Sequence, residues 1–198
     1  TSLAPGKQVM IITPFHVKLP KNYSRSGHIG QAYQLTQWYP KPAVYDKKGW
    51  HPMPYLDQGE FYSEFGTYDV KITLPEKYKV AATGSVVDST FQTAQKTLHY
   101  KQENIHDFAW FADEEFEVMH DTLQLSQKTI EVYVYYNKKN AQYWSQALNY
   151  TKEAIRSKSD LVGVYPYPVV SVVERAGDET GGGMEYPTIT LVSKTSNE

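Results

Sequence analysis

The stretch Thr129-Ile-Glu-Val-Tyr-Val-Tyr-Tyr-Asn137 is followed, after six residues, by Trp144, Ala147, Leu148, Thr151 and Ile155, and the two parts have different periods. Ile130, Val132, Val134 and Tyr136 recur at every second position, as one face of a half-buried strand does. From Trp144 onward the apolar residues fall at i, i+3, i+4, i+7 and i+11, which is one face of an α-helix. The change of period at Asn137 predicts a strand before it and one amphipathic helix, roughly Asn140 to Lys158, after it. Gln146, Lys152, Glu153 and Arg156 occupy the opposite, solvated face, and Gly163 with Pro166 and Pro168 closes the segment.

Working upstream, Tyr68, Val70, Ile72 and Leu74 repeat the alternation, and the pattern is strand-like from Val9 to Tyr136. Tyr39-Pro-Lys-Pro, His51-Pro-Met-Pro, Leu74-Pro and Thr83-Gly fall between candidate strands, where a missing N–H or a positive φ is tolerated. The region reads as a mostly antiparallel sheet system with a long loop over Gly49 to Gly59. Downstream, Val169 to Val173 reads as a strand, Gly177 to Gly183 as a Gly-rich loop and Thr188 to Val192 as another strand. The expected fold class is mainly β with some α. Residues 1–137 are expected to form a β-rich domain, and 138–198 the opening of a second one.

Composition excludes several functions. Among 198 residues, 20 Lys plus Arg face 22 Asp plus Glu for a net charge of −2, which names no polyanionic partner such as nucleic acid. Apolar runs such as Val9 to Ile12 and Phe108 to Ala112 are far shorter than the ~20 residues of a membrane span. With no cysteine there is no disulfide framework, thiol nucleophile or Cys-ligated metal. Thr1 is not a start methionine and no leader follows it, so the ends read as cut. Tyr, at 17, is abundant beside 4 Trp and 7 Phe, which suits half-buried sheets and binding clefts alike.

Histidines stand at 16, 28, 51, 99, 106 and 120, with no pair three or four apart, so a helical HExxH zinc site is absent. His106-Asp107 and His120-Asp121 are sequence neighbours, which on a strand turns the two side chains to opposite faces. No Gly-x-Ser-x-Gly elbow, phosphate loop or dinucleotide fingerprint occurs. The informative segment is Gly181-Gly-Gly-Met-Glu-Tyr-Pro187, joined directly to a β-branched run. Three glycines imply positive φ angles or a close backbone or ligand approach, so a simple hairpin loop and a ligand site both stay open.

Gly182-Gly183-Met184-Glu185 resembles the Gly-x-Met-Glu-Asn motif of the zinc aminopeptidases related to aminopeptidase N, whose catalytic domain is thermolysin-like. Gly30-Gln-Ala-Tyr-Gln-Leu-Thr-Gln-Trp-Tyr-Pro40 is similar to that family's Gln-Ala strand. Phe61 to Gly84 and His106-Asp-Phe-Ala-Trp-Phe-Ala112 look like later strands of its N-terminal domain. The likeness extends from about Asn22 to Val192 and is nearest a bacterial branch with Gly-Gly-Met-Glu-Tyr-Pro. It implies a β-sandwich or saddle-like N-terminal domain followed by the truncated start of the catalytic domain. Glu185 would anchor the α-ammonium of a peptide substrate with a free N-terminus. Gly182, Gly183 and Met184 would line the peptide as an edge strand, and Gln31 would help hold the amine.

Tyr186 stands where most members have Asn. Family members carry HExxH and a further Glu ligand downstream, so zinc is expected in a full-length parent and none in this chain, which by itself is expected to be inactive. The branch implies a periplasmic, extracellular or cell-envelope setting. Two other readings stand beside this one: a non-catalytic relative serving as a binding or scaffolding module, and a β-sandwich that stacks its aromatic residues on carbohydrate.

Overall fold

The computed structural model describes residues 3–22, 24–54, 61–126, 128–177 and 182–194. It is mainly β. Strands β1 (Gly27–Ile29), β2 (Ala32–Leu35), β3 (Val44–Asp46), β4 (Gly49–His51), β5 (Gly66–Pro75), β6 (Lys79–Ala82), β7 (Ser85–Gln92), β8 (Gln95–Ile105), β9 (Trp110–Asp113), β10 (Phe116–Leu125) and β11 (Lys128–Asn137) come first. Helices α1 (Ala141–Trp144) and α2 (Ala147–Val162) follow, then β12 (Val169–Glu174), β13 (Gly183–Tyr186) and β14 (Ile189–Val192).

The strands form three layers and a small hairpin. A three-stranded sheet, β5-β8-β7, packs on a four-stranded one, β1-β2-β9-β6, and a five-stranded sheet, β10-β11-β12-β14-β13, covers the other side. The middle sheet is buried on both faces. Val80, Ala82 and Ala112 join Ile72, Leu74, Tyr100 and Phe108 on one side, while Ala81 and Phe111 join Val173, Ile189 and Leu191 on the other. This double burial explains why Phe108 to Ala112 is uniformly apolar: a strand covered on both faces has no solvent side to mark with polar residues.

The expected antiparallel pairing holds in the first two sheets and in the β10–β11 hairpin, but β12 lies parallel to both β11 and β14. A parallel neighbour needs a crossover, and α1–α2 supplies it. Leu148 and Ile155 of α2 pack on Leu123, Ile130, Val132 and Val170, so the helical and strand periods read from the sequence meet in one core. The expected domain change at residue 138 falls inside this sheet, because the β11–β12 ladder crosses it.

Three expectations are corrected. The single helix over 140–158 is a 3-10 turn over Lys138–Asn140 and two helices broken at Ser145 and Gln146. The second runs on to Val162, where Leu161 and Val162 are exposed, so Gly163 (φ 113°) sets the end and the apolar stripe does not. Val9 to Ile12 is no strand and stands exposed. The Gly49 to Gly59 loop begins as strand β4, paired with β3; its remainder from residue 55 lies outside the described residues.

Candidate functional site at the β13 edge

β13 ends the five-stranded sheet, so one of its edges carries no strand neighbour among the described residues. Its entry is built on glycine. Gly182 has φ 80°, a region where other residues are strained, and a Cβ on Gly183 would meet the Leu191 carbonyl oxygen at 2.8 Å. A side chain at 183 would therefore push β14 away. Gly181 lies outside the described residues, as do 178–180 of the expected loop. The segment expected as loop is thus a strand from Gly183 onward, antiparallel to β14 with Glu185 opposite Thr190.

Strand alternation then sorts the side chains. Met184 and Tyr186 face the four-stranded sheet: Tyr186 is buried among Val173, Ile189 and Leu191, and Arg25 Nη1 donates to Met184 Sδ at 3.3 Å. Glu185 turns the other way and is exposed. It lines a hollow of about 520 Å³ with Trp144, Ile155, Lys158, Val172 and Val192. The Trp144 indole N–H is buried there with no acceptor among the described residues. Lys158 and Lys194 line the same hollow, so Glu185 stands there among cationic as well as apolar neighbours.

Gln31 sits elsewhere. The strand begins at Ala32, and Gln31 is the second residue of the Gly30–Gln31 turn between β1 and β2, where its Oε1 accepts a hydrogen bond from the Tyr78 hydroxyl at 2.5 Å. Burial, helped by Glu114 and Tyr33, pushes the Tyr78 hydroxyl up to about 12, so it stays a donor at neutral pH. Gln31 opens on a separate cavity of about 280 Å³ with Gln34, Asp113, Glu174, Arg175 and Gly177. Glu185 and Gln31 therefore line different hollows.

Two residues on this framework were not legible beforehand. Thr188, read as strand, lies in the β13–β14 turn with φ 64°, and its Oγ1 accepts from Gly84 N–H at 2.7 Å, tying that turn to the β6–β7 turn. Glu174 ends β12 buried, with Asn137 N–H donating to one oxygen at 2.6 Å and Asn140 Nδ2 to the other. The only signal was a carboxylate closing a β-branched run. Burial raises the Glu174 pKa above the usual glutamate range, against the lowering by those two donors. Its contribution is greatest below the unfolded-state value and is lost as pH rises through the raised folded value. Thermal midpoints of the wild type, relative to Glu174→Gln, should therefore fall as pH rises across that window; a flat difference would remove the assignment.

His120 and Asp121 separate as strand neighbours do, whereas His106 and Asp107 lie in the connection between β8 and β9 and on no strand. His120 meets Glu131 at 2.5 Å across the hairpin, while Asp121 turns to Lys152 of α2. Lys152 was expected on a solvated face, and this pairing draws it against β10 instead. Asp107, not His106, is the buried partner: it accepts from Tyr39 OH at 2.9 Å and from Phe108 N–H at 2.8 Å, with Lys41 Nζ at 3.3 Å. Among the described residues no three of His, Asp or Glu are grouped as a metal ion needs, so the residues in hand do not fit zinc.

No family model matches the chain, and no curated protein does. Solved structures do share its fold. An M1 zinc metallopeptidase from Deinococcus radiodurans matches with a TM-score of 0.58 at 23% identity, over 69% of this chain and 32% of that protein. A mutant of the same enzyme bound to a Tyr-Ser-Ala substrate matches equally well. Legionella pneumophila aminopeptidase A in complex with aspartic acid matches with a TM-score of 0.54 at 14% identity, over 64% of this chain and 16% of that one. The match thus spans about a third or less of these peptidases' length, and it is one of fold. No helix among the described residues is long and apolar enough to cross a membrane.

Proposed function

We propose that this chain is the substrate-recognition part of a zinc-dependent aminopeptidase, which removes N-terminal residues from peptides. The observation that carries the reading is the Gly-Gly-Met-Glu stretch, formed as a sheet edge without a further strand neighbour among the described residues and with its carboxylate lining a hollow, in a fold shared with M1 zinc peptidases. Glu185 receives the α-ammonium of the peptide, while the backbone of Gly182, Gly183 and Met184 runs beside its first peptide units. A charge-assisted hydrogen bond of this kind is worth about 1.5–3 kcal/mol, and a blocked amine leaves the carboxylate without its partner.

Gln31 is the weaker member of the set, since its amide oxygen is already engaged by Tyr78. These groups bind and orient; the hydrolytic metal and base belong to other parts of a parent enzyme. The carbohydrate reading has less support: exposed Tyr45 and Trp50 are tilted 59° on one small hairpin, while Phe91 is on β7, Tyr150 on α2 and Phe65 just ahead of β5.

The test is the coding sequence beyond residue 198, with zinc measured in its product. An HExxH helix with a later Glu ligand and one zinc per chain supports the reading, whereas a longer gene without them leaves a non-catalytic binding relative. The 198-residue chain by itself should show no peptidase turnover with or without added zinc. Turnover that survives purification controls would overturn the division of labour proposed here.

A further inference from the structure

The middle sheet stops at β6, and beyond that strand the two outer sheets face each other across a hollow of about 460 Å³. Small-molecule sites span roughly 300–1,000 Å³, so this one has the room. Strand alternation decides what lines it. On β8, Lys96 shares the inward face with Leu98 and Tyr100, which pack in the apolar core. Among the described residues Lys96 forms no ion pair and no hydrogen bond, and Glu76 acts on it only through its field. Burial, together with the nearby Lys79, holds its ammonium below the usual lysine range. From the facing sheet, Tyr133 and Tyr135 of β11 and Ser171 of β12 line the same hollow, with Tyr133 directly opposite Ser171 in the ladder. Ser171 is 4% exposed, and none of these three hydroxyls has a hydrogen-bond partner among the described residues. Burial raises both phenols above the usual tyrosine range, so they stay neutral donors.

We propose that this hollow binds a small organic acid with one carboxylate and a planar apolar body. Lys96 meets the carboxylate as its missing counter-charge, the free hydroxyls donate to it, and the body lies against the tyrosine rings and Leu98. Charge selects the class. Apart from tyrosines, the ionisable side chains lining the hollow are Lys79, Lys96 and Glu131, a surplus of one positive charge. Lys79 already donates to the Phe116 carbonyl and Glu131 is held by His120, so Lys96 is the one left to answer. A monoanion balances that surplus, a dianion such as a phosphate monoester overshoots it beside Glu131, and a cation would meet two ammonium groups. The site is separate from the peptide reading. Val169 and Ser171 face this hollow, whereas Val170 and Val172, turned the other way along β12, line the one that holds Glu185.

The probe is 3-phenylpropanoate, with 3-phenylpropanamide as its neutral match in shape and phenyl phosphate as the dianion, each titrated calorimetrically into the 198-residue chain. The acid should bind with a Kd below about 1 mM, and the amide and the phosphate at least tenfold more weakly. Lys96→Met should weaken the acid at least tenfold while the thermal midpoint holds or rises, because it removes a half-buried charge that has no partner. Tyr133→Phe, which takes away only a hydroxyl, should weaken the acid severalfold with the fold intact. Glu185→Ala should bind the acid as the wild type does, which separates this site from the proposed amine anchor. No binding of the acid by the wild type, equal binding of acid and amide, tighter binding of the phosphate, or an acid affinity unmoved by Lys96→Met would overturn the proposal.

Discussion

Replacing Phe111 by alanine is expected to destabilise the chain by about 3–5 kcal/mol, the usual cost of emptying a buried aromatic site. Phe111 is 1% exposed and sits on β9 with its ring toward Val173, Ile189 and Leu191 of the five-stranded sheet. The two sheets cannot collapse into the vacated volume, because β9 is held by ladders to β2 on one side and β6 on the other. The same cluster seats Tyr186 and Met184, so the loss should also loosen the β13 edge. Urea unfolding followed by Trp fluorescence reads the stability, and amide exchange at 183–186 reads the coupling. A change below about 1 kcal/mol would mean that the layers are not joined through this ring.

Glu185→Ala is expected to leave stability unchanged, since the side chain is exposed, and, on the proposed reading, to remove amine recognition. If the proposed reading holds, kcat/KM of a parent peptidase on free-amine peptides should fall about ten- to a hundredfold, which is the loss of one charged hydrogen bond. Acetylated peptides should be handled as before, and zinc content should not move. Glu185→Gln, which keeps an acceptor without the charge, should fall between. Equal kcat/KM for wild type and Glu185→Ala, with both folded, would end the anchor assignment. Since Phe111→Ala acts on stability and Glu185→Ala on recognition, the two failures are distinguishable.

Much of the fold was legible because it rests on local periods. The alternation in Tyr68 to Leu74 and in Ile130 to Tyr136 became β5 and β11, and Leu148 and Ile155 of the stripe became the half-buried contacts of α2 with the sheet. The break at Ser145 and Gln146 was not visible, since nothing in those side chains departs from a helical pattern. At the site, Gly183-Met-Glu-Tyr186 was marked by its glycines and carboxylate, but its being a strand depends on β14 alongside. Gln31 and Glu185 carry the same polar signal in sequence, and only the packing of the sheets sets them on separate hollows.

The sequence by itself determined the long strands β5 and β11, the helical stretch after them, the lack of cysteine and the glycine entry to Glu185, because each is written in residues close together in the chain. Tertiary structure alone decided that β12 runs parallel to its neighbours, that one edge of β13 has no strand partner among the described residues, that Glu174 is buried and that Val9 to Ile12 find no strand within the described fold. Each of these turns on which distant segment supplies the hydrogen-bond partner or the apolar cover, and no local period encodes that choice.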